Sequence, residues 1–148
     1  MNNTFDKSLP LAIGCDHAGF EYKESLKKML MEQGWTVTDK GTYSLASTDY
    51  PDYAHQVATM VATGEAAAGI LVCGSGNGVC MTANKHAGIR AALCWNEELA
   101  ALARQHNNAN IICIPSRFVS YETTEKMTGI FLATAFEGGR HEKRVNKI

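Results

Sequence analysis

The sequence has few of the features that mark membrane-spanning, secreted or nucleic-acid-binding proteins. Its 148 residues carry a net charge of −1, which gives no basic patch for nucleic acid or an anionic membrane. The longest clear apolar run covers residues 66–72 and includes a glycine, so it is too short for a membrane span. Residues 1–7 lack the charged and apolar blocks of a signal peptide. We therefore expect a cytoplasmic protein with no membrane and no nucleic-acid partner.

The cysteines are odd in number, and no two of them form a CxxC pair. They are Cys15, Cys73, Cys80, Cys94 and Cys113. An odd count without metal-ligand spacing argues against a disulfide framework and against a zinc site. We expect free thiols in a reducing compartment and no bound metal.

Apolar segments with strand and helix spacing alternate along the whole chain, without a linker or an internal repeat. We predict strands at residues 11–14, 35–38, 70–72, 89–94 and 111–114, and helices at 20–33, 51–64, 79–85, 97–106 and 121–136. Such alternation is typical of an α/β fold, here a three-layer αβα sandwich around a five-stranded parallel Rossmann-like sheet. A chain of 148 residues suits a single domain, residues 1–148.

A thiol and a glycine-rich turn follow the third predicted strand. Cys73 ends that strand, and five small or polar residues come next: Gly74, Ser75, Gly76, Asn77 and Gly78. The backbone N–H groups of such a turn can point into one concavity and stabilise an anion. The positive end of the following helix would favour the thiolate and lower the cysteine pKa from about 8.5 towards neutrality. A catalytic thiolate and a buried structural cysteine are equally compatible with this segment alone.

Polar residues also follow the first and fifth predicted strands. Asp16 and His17 come after the first strand, and Ser116 and Arg117 after the fifth. Because ligands of parallel sheets bind outside the carboxyl ends of the strands, we expect these groups and Cys73 to meet at one edge. Taken alone, Asp16 fits a helix cap better than a proton-transfer group.

Histidines and arginines in the second half of the chain leave two interpretations open. His106 ends the helix at 97–106, where the helix dipole stabilises an imidazolium, so both a structural and a proton-exchanging role fit. Arg140 and Arg144 would share one face of a helical tail and could hold one phosphate. On composition alone, a solvated basic terminus is the simpler interpretation. His55 and His86 have no evident partner, and we interpret both as structural.

Seven short segments, in this order, resemble the type B ribose-5-phosphate isomerases, a family that also includes the galactose-6-phosphate isomerase subunits. They are GCDHAG at 14–19, TDYP at 48–51, CGSGNG at 73–78, ANK at 83–85, GIRA at 88–91, RQHN at 104–107 and EGGRH at 137–141. The segments run across nearly the whole chain. Their combination is specific, although each segment alone is weak.

The resemblance implies an aldose–ketose isomerase that works through an enediolate without metal or cofactor. Cys73 would be the base that moves a proton between two carbons, and the N–H groups of residues 74–78 would stabilise the negative oxygen. His106, helped by Asp16, would open the sugar ring, and Ser75 would assist proton movement between the oxygens. The other site residues would bind the sugar or its phosphate: Tyr50 and Asn107, and then His17, Arg117, Arg140, His141 and Arg144.

The resemblance also implies an assembly and a substrate. It implies a homodimer, or a dimer of dimers, in which residues 137–148 form a tail that reaches a neighbouring subunit. Ribose 5-phosphate is the favoured substrate, with galactose 6-phosphate and allose 6-phosphate as alternatives. Outside enzymes, the alternative is a nucleotide- or flavin-binding module. Against it, the third glycine of the turn comes one position early for GxGxxG, and the turn follows the third strand rather than the first.

Overall fold

The structure, a computed structural model, describes residues 4–148 and alternates strands with helices. The strands are β1 Leu11–Cys15, β2 Val37–Asp39, β3 Ala68–Cys73, β4 Ala91–Leu93 and β5 Ile111–Pro115. The α-helices are α1 Phe20–Glu32, α2 Tyr50–Ala62, α3 Asn77–Ala83, α4 Glu97–Gln105, α5 Tyr121–Ala133 and α6 Glu142–Val145. Two short 3-10 turns, His17–Gly19 and Gly139–His141, complete the regular structure.

The strands form one parallel sheet in the order β2-β1-β3-β5-β4. Apolar side chains of α1, α4 and α5 cover one face, and those of α2 and α3 cover the other. The predicted α/β class and its three layers are therefore confirmed. Among residues 4–148, no helix is long and apolar enough to cross a membrane.

The central strand β3 shows why the sheet is buried on both faces. All six of its residues are buried. Ile70 and Val72 pack towards α1, α4 and α5, whereas Leu71 and Cys73 pack towards α2 and α3. A continuous apolar run is thus needed on this strand, and the alternation directs the Cys73 side chain towards α3.

Several predicted boundaries are wrong by two or three residues, and local features explain those of helices α3 and α5. Helix α3 begins at Asn77 rather than 79, because Gly76 with φ 75° turns the chain directly into it. Asn84 ends α3 because its side chain accepts from the Ala91 N–H at 2.8 Å and donates to the Ala91 carbonyl at 2.9 Å. Helix α5 ends at Ala133 rather than 136, since Thr134 is extended. The two edge strands are Val37–Asp39 rather than 35–38 and Ala91–Leu93 rather than 89–94.

Candidate active site

The carboxyl ends of β1, β3 and β5 meet as the sequence predicted. The Ser116 hydroxyl lies 2.9 Å from the Ala18 carbonyl oxygen and 3.2 Å from the Cys73 carbonyl oxygen. The Arg117 N–H donates to the Gly74 carbonyl at 3.1 Å, which places Arg117 beside the glycine turn. One hydroxyl thus joins the segments that follow three strands.

Cys73 is held by the turn that follows it. The thiol is 4% exposed, and its Sγ accepts a hydrogen bond from the Gly76 N–H at 3.2 Å. A Cβ on Gly76 would lie 2.5 Å from Leu93 Cδ1, a contact that a shift of the leucine side chain can relieve, so it is the left-handed φ of 75° that favours glycine here. The predicted arrangement of a thiol facing backbone donors is present. Ser75 and Asn77 are exposed at the rim of the turn.

The expected lowering of the Cys73 pKa is wrong for this chain on its own. Burial raises the pKa of the Cys73 thiol above its ordinary value of 9.0, and the backbone N–H groups of Val79 and Gly76 oppose that rise without cancelling it. Desolvation of the thiolate is therefore the largest effect at this site. A thiolate formed here would be less populated at neutral pH, but more basic.

Asp16 and His17 are fixed by hydrogen bonds to the backbone. Asp16 is 8% exposed and its Oδ1 accepts from the Gly19 N–H at 3.1 Å, so the predicted capping role is confirmed. His17 Nδ1 accepts from the Thr48 N–H at 3.3 Å. In the neutral ring the proton therefore sits on Nε2, which is free to donate to a ligand. Thr48 belongs to the TDYP segment, but nothing in the sequence indicated that it would orient His17.

Tyr50 closes the other side of the glycine turn. It begins α2 and is 41% exposed. Its ring lies against Gly78, where an added Cβ would come within 2.4 Å of Cζ. Only a glycine admits this close approach, which places the phenol beside the turn that holds Cys73.

A second cluster of predicted site residues lies on the tail and at the end of α4. The rings of His106 and His141 stack with centroids 4.2 Å apart. Glu137 Oε2 lies 3.8 Å from His141 Nε2. A cavity of about 330 Å³ opens here, lined by His106, Asn107, Arg140, His141, Arg144, Val145 and Ile148. Arg140 and Arg144 are exposed and line the same space, as the spacing on a helical tail predicted.

The ligand atoms of this second cluster could in principle approach a metal. His106, Glu137 and His141 each offer one such atom, and these atoms lie within 4.8 Å of one another. However, a metal binds in the plane of an imidazole, and rings inclined by only 12° do not direct both nitrogens at one ion. Two guanidinium groups lining the cavity add positive charge. The arrangement suits an anion better than a cation.

The two clusters lie at opposite ends of the strands. We call the side of the sheet where the strands end its carboxyl edge and the side where they begin its amino edge. In a parallel sheet each helix returns the chain to the amino edge, so the ends of α4 and α5 lie there, whereas Cys73 and Asp16 lie at the carboxyl edge. The five residues of β5 alone span about 16 Å. One chain therefore does not bring His106 next to Asp16. It also divides the expected phosphate residues, with His17 and Arg117 on one side and Arg140, His141 and Arg144 on the other.

His55 and His86 do have a partner, contrary to the sequence interpretation, because they bind each other. His55 Nδ1 lies 2.7 Å from His86 Nε2, and the ring centroids are 5.0 Å apart. The pair joins α2 to the turn after α3. His55 is exposed and His86 is half-buried, and both lie outside the two clusters, which fits the structural role that was predicted.

A buried thiol against backbone donors, at the strand ends of an αβα sheet, is an arrangement that can move protons on a small ligand. The opposite edge supplies histidines and arginines suited to an anionic group. The chain belongs to the ribose/galactose isomerase family, whose family model matches residues 11–148. The resemblance identified from the short segments is thus confirmed.

Individual relatives agree with this assignment over nearly their full lengths. Ribose-5-phosphate isomerase B of Escherichia coli (strain K12) is 48% identical over 138 residues, which is 93% of each chain. A crystal structure of a ribose 5-phosphate isomerase from Thermotoga maritima is 49% identical, with TM-score 0.91 over 94% of this chain and 96% of that one. Ribose-5-phosphate isomerase B of Mycoplasma genitalium, with bound ribulose 5-phosphate, is 44% identical, with TM-score 0.92 over 96% and 95%.

Proposed function

We propose that this protein interconverts ribose 5-phosphate and ribulose 5-phosphate as an aldose–ketose isomerase. The observation that carries the proposal is the Cys73 thiol, held 3.2 Å from a backbone N–H within a turn of further donors. A base and an anion-stabilising turn are what proton abstraction next to a carbonyl requires. The Mycoplasma genitalium relative with bound ribulose 5-phosphate supports the choice of sugar.

The proposed reaction moves one proton and needs no external oxidant. His106, with Asp16, opens the furanose ring by proton transfer to and from the ring oxygen and the C1 hydroxyl. The Cys73 thiolate then takes the proton from C2, and the electron pair moves to the C1 carbonyl oxygen to give an enediolate. The N–H groups of residues 74–78 stabilise that charge, which contributes several kcal/mol in a dry site. Ser75 carries a proton from O2 to O1, and the Cys73 thiol returns its proton to C1.

The proposed active site needs two chains. His106 and the tail lie at the amino edge, and Cys73 and Asp16 at the carboxyl edge of the same sheet. A second copy of the chain would bring one edge against the other. We therefore propose a cytoplasmic homodimer of single-domain subunits, or a dimer of such dimers, in which residues 137–148 complete the neighbour's site.

The substrate phosphate would bind between the two edges. Arg140 and Arg144 line one cavity with His141. Guanidinium groups bind phosphate through two parallel hydrogen bonds, and such charge-assisted contacts contribute about 1.5–3 kcal/mol. His17, with Nε2 free, and Arg117 would approach the same phosphate from the other subunit.

A coupled assay on the purified protein tests the proposal. Ribose 5-phosphate, galactose 6-phosphate and allose 6-phosphate are offered in parallel, with no other protein from the source and with Cys73→Ser as the matched control. We expect turnover of ribose 5-phosphate with the highest kcat/KM, and loss of that turnover in the control. Turnover of a hexose phosphate alone would overturn the choice of substrate, and equal activity in Cys73→Ser would overturn the mechanism.

A further inference from the structure

A buried arginine in α4 lies close in the chain to His106 of the second cluster. Arg104 is in the last turn of α4, two residues before His106, and is 2% exposed. Its guanidinium carbon lies 4.2 Å from the ring centroid of Phe5 and 5.8 Å from that of Phe131. Burial lowers the pKa of Arg104 to about 10, so the group is still charged at neutral pH.

The Arg104 side chain joins two separate segments of the chain. Nη1 donates to Asn108 Oδ1 at 3.0 Å and to the Ala109 carbonyl, both in the loop that carries His106. Nε donates to the Thr134 carbonyl at 3.1 Å, at the end of α5 and three residues before the tail. One planar guanidinium thus fixes the loop after α4 relative to the chain that leads to Arg140 and His141.

The loop that Arg104 holds is conformationally strained. Asn108 has φ 47°, and it is the only non-glycine residue among residues 4–148 with a positive φ. Left-handed backbone costs on the order of 1 kcal/mol for such a residue and persists only where the surroundings impose it. Arg104 binds the Asn108 side chain, and Arg90 Nε donates to the Asn108 carbonyl at 2.9 Å. Two arginines therefore hold one residue in this conformation.

Further contacts transmit this arrangement to the site. The Glu137 N–H donates to the Gln105 carbonyl at 3.1 Å, next to His106. Beyond that contact the His106 and His141 rings stack. We infer that Arg104 is a positioning residue, which sets the place of His106 relative to His141 and the tail arginines. The catalytic part of this inference rests on the function proposed above.

Lysine could not replace Arg104 in this position. The guanidinium supplies Nε and Nη1 in fixed directions to two segments at once, whereas an ammonium is a point charge on a flexible stem. We expect Arg104→Lys to fold, to keep the buried charge, and to lose the fixed geometry. Since a misplacement of about 1 Å can cost on the order of 100-fold in rate, kcat for ribose 5-phosphate should fall at least about tenfold.

A double-mutant cycle separates positioning from simple loss of stability. Arg104→Lys, His106→Asn and the double variant are compared below their unfolding temperatures, with circular dichroism as the check on folding. Leu26→Ala, a core change in α1 away from the loop, is the control for destabilisation alone. If Arg104 acts through His106, Arg104→Lys should lower kcat when it is made in the wild-type protein. The same substitution should have almost no further effect on kcat when it is made in the His106→Asn variant. Fully additive losses, or the same loss of kcat in Leu26→Ala, would overturn the inference.

A readout without substrate keeps the inference independent of the proposed function. The C2–H proton resonances of His106 and His141 report the ring stack, and each is assigned by substitution. Arg104→Lys should shift both resonances, whereas Leu26→Ala should shift neither. If the wild type fails to convert ribose 5-phosphate while these shifts appear, the proposed function is wrong and the positioning role of Arg104 stands. Unchanged resonances in Arg104→Lys would refute that role.

Discussion

The imidazole rings of His106 and His141 lie face to face, with centroids 4.2 Å apart and 12° between their planes. Burial lowers the pKa of His141, and the positive charges of His106 and Arg140 lower it further. A positive charge on His141 would be repelled by these neighbours across the face-to-face stack. The neutral form of His141 is therefore favoured.

Replacing His141 with phenylalanine should separate the contribution of ring stacking from that of the ring nitrogens. His141→Phe keeps an aromatic ring against His106, so we expect kcat for ribose 5-phosphate to change by less than about threefold. It removes the proposed neutral hydrogen bond to phosphate, and such a bond contributes about 0.5–1.5 kcal/mol, so KM should rise about 2- to 10-fold. His141→Ala removes the stack as well and should also lower kcat. Steady-state kinetics on both variants test this, and an equal kcat in the two would show that the stack does not support His106.

Substitution of Cys73 should remove turnover and spare binding. Cys73→Ala deletes the proposed base, and general bases contribute about 100- to 10,000-fold, so kcat should fall by at least the lower figure. Binding of ribulose 5-phosphate, measured by calorimetry, should change little, because no phosphate contact is lost. A Cys73→Ala variant that retained most of its turnover would exclude Cys73 as the base.

Arg140 should contribute to binding rather than to chemistry. Arg140→Ala removes the proposed charge-assisted contact with phosphate, which would contribute about 1.5–3 kcal/mol, so KM for ribose 5-phosphate should rise about 10- to 150-fold. Lys143→Ala is the matched control, since Lys143 is exposed in the same tail but does not line the cavity. An equal rise in both variants would mean that the tail acts only through its net charge.

The predictions from sequence were correct where the signal is local. The five strands, the glycine turn and the Asp16 cap each depend on a few adjacent residues, and all are present. Convergence at the carboxyl edge followed from the parallel topology, and the Ser116 hydrogen bonds confirm it.

Features that depend on distant residues could not be predicted from the sequence. The stack of His106 on His141 requires the ends of α4 and α5 to be neighbours, which residue spacing does not specify. The predicted direction of the Cys73 pKa shift was wrong, because burial of the thiol, rather than the end of helix α3, decides that direction. Lys23 in α1 is fully buried and donates to both Asp39 oxygens, at 2.8 and 2.6 Å, a contact that residue spacing does not specify.

Buried thiols should make the fold sensitive to alkali. Burial raises the pKa of Cys15 from its ordinary value of 9.0 to about 12, and the residue has no exposed surface. A raised folded-state pKa contributes stability that is fully present below pH 9 and is lost as the pH rises towards 12. Between these values the unfolded chain releases the proton first, so the free energy of unfolding should fall by about 1.4 kcal/mol per pH unit for this thiol.

The Cys15→Ala variant isolates that thiol from other groups that titrate in alkali. Urea unfolding from pH 8 to 11 should show a shallower fall in the free energy of unfolding for Cys15→Ala than for the wild type. Cys80→Ala is the control, because the pKa of Cys80 is lowered by its hydrogen bond with Cys113. Parallel curves for the wild type and Cys15→Ala would mean that Cys15 does not titrate differently on unfolding.

Mixing two inactive variants tests whether one site draws on two chains. In a two-fold symmetric dimer, Cys73→Ala and His106→Asn homodimers each lack one component at both sites. A mixed dimer pairs the intact Cys73 of one chain with the intact His106 of the other at one of its two sites. After unfolding and refolding together in equal amounts, about a quarter of all sites should therefore be complete. We expect about that fraction of wild-type kcat from the mixture, and only a small residual kcat, far below a quarter of the wild-type value, from either variant refolded alone. Recovery would be absent if Cys73 and His106 acted within a single chain, so a mixture as inactive as its components would contradict the two-chain site.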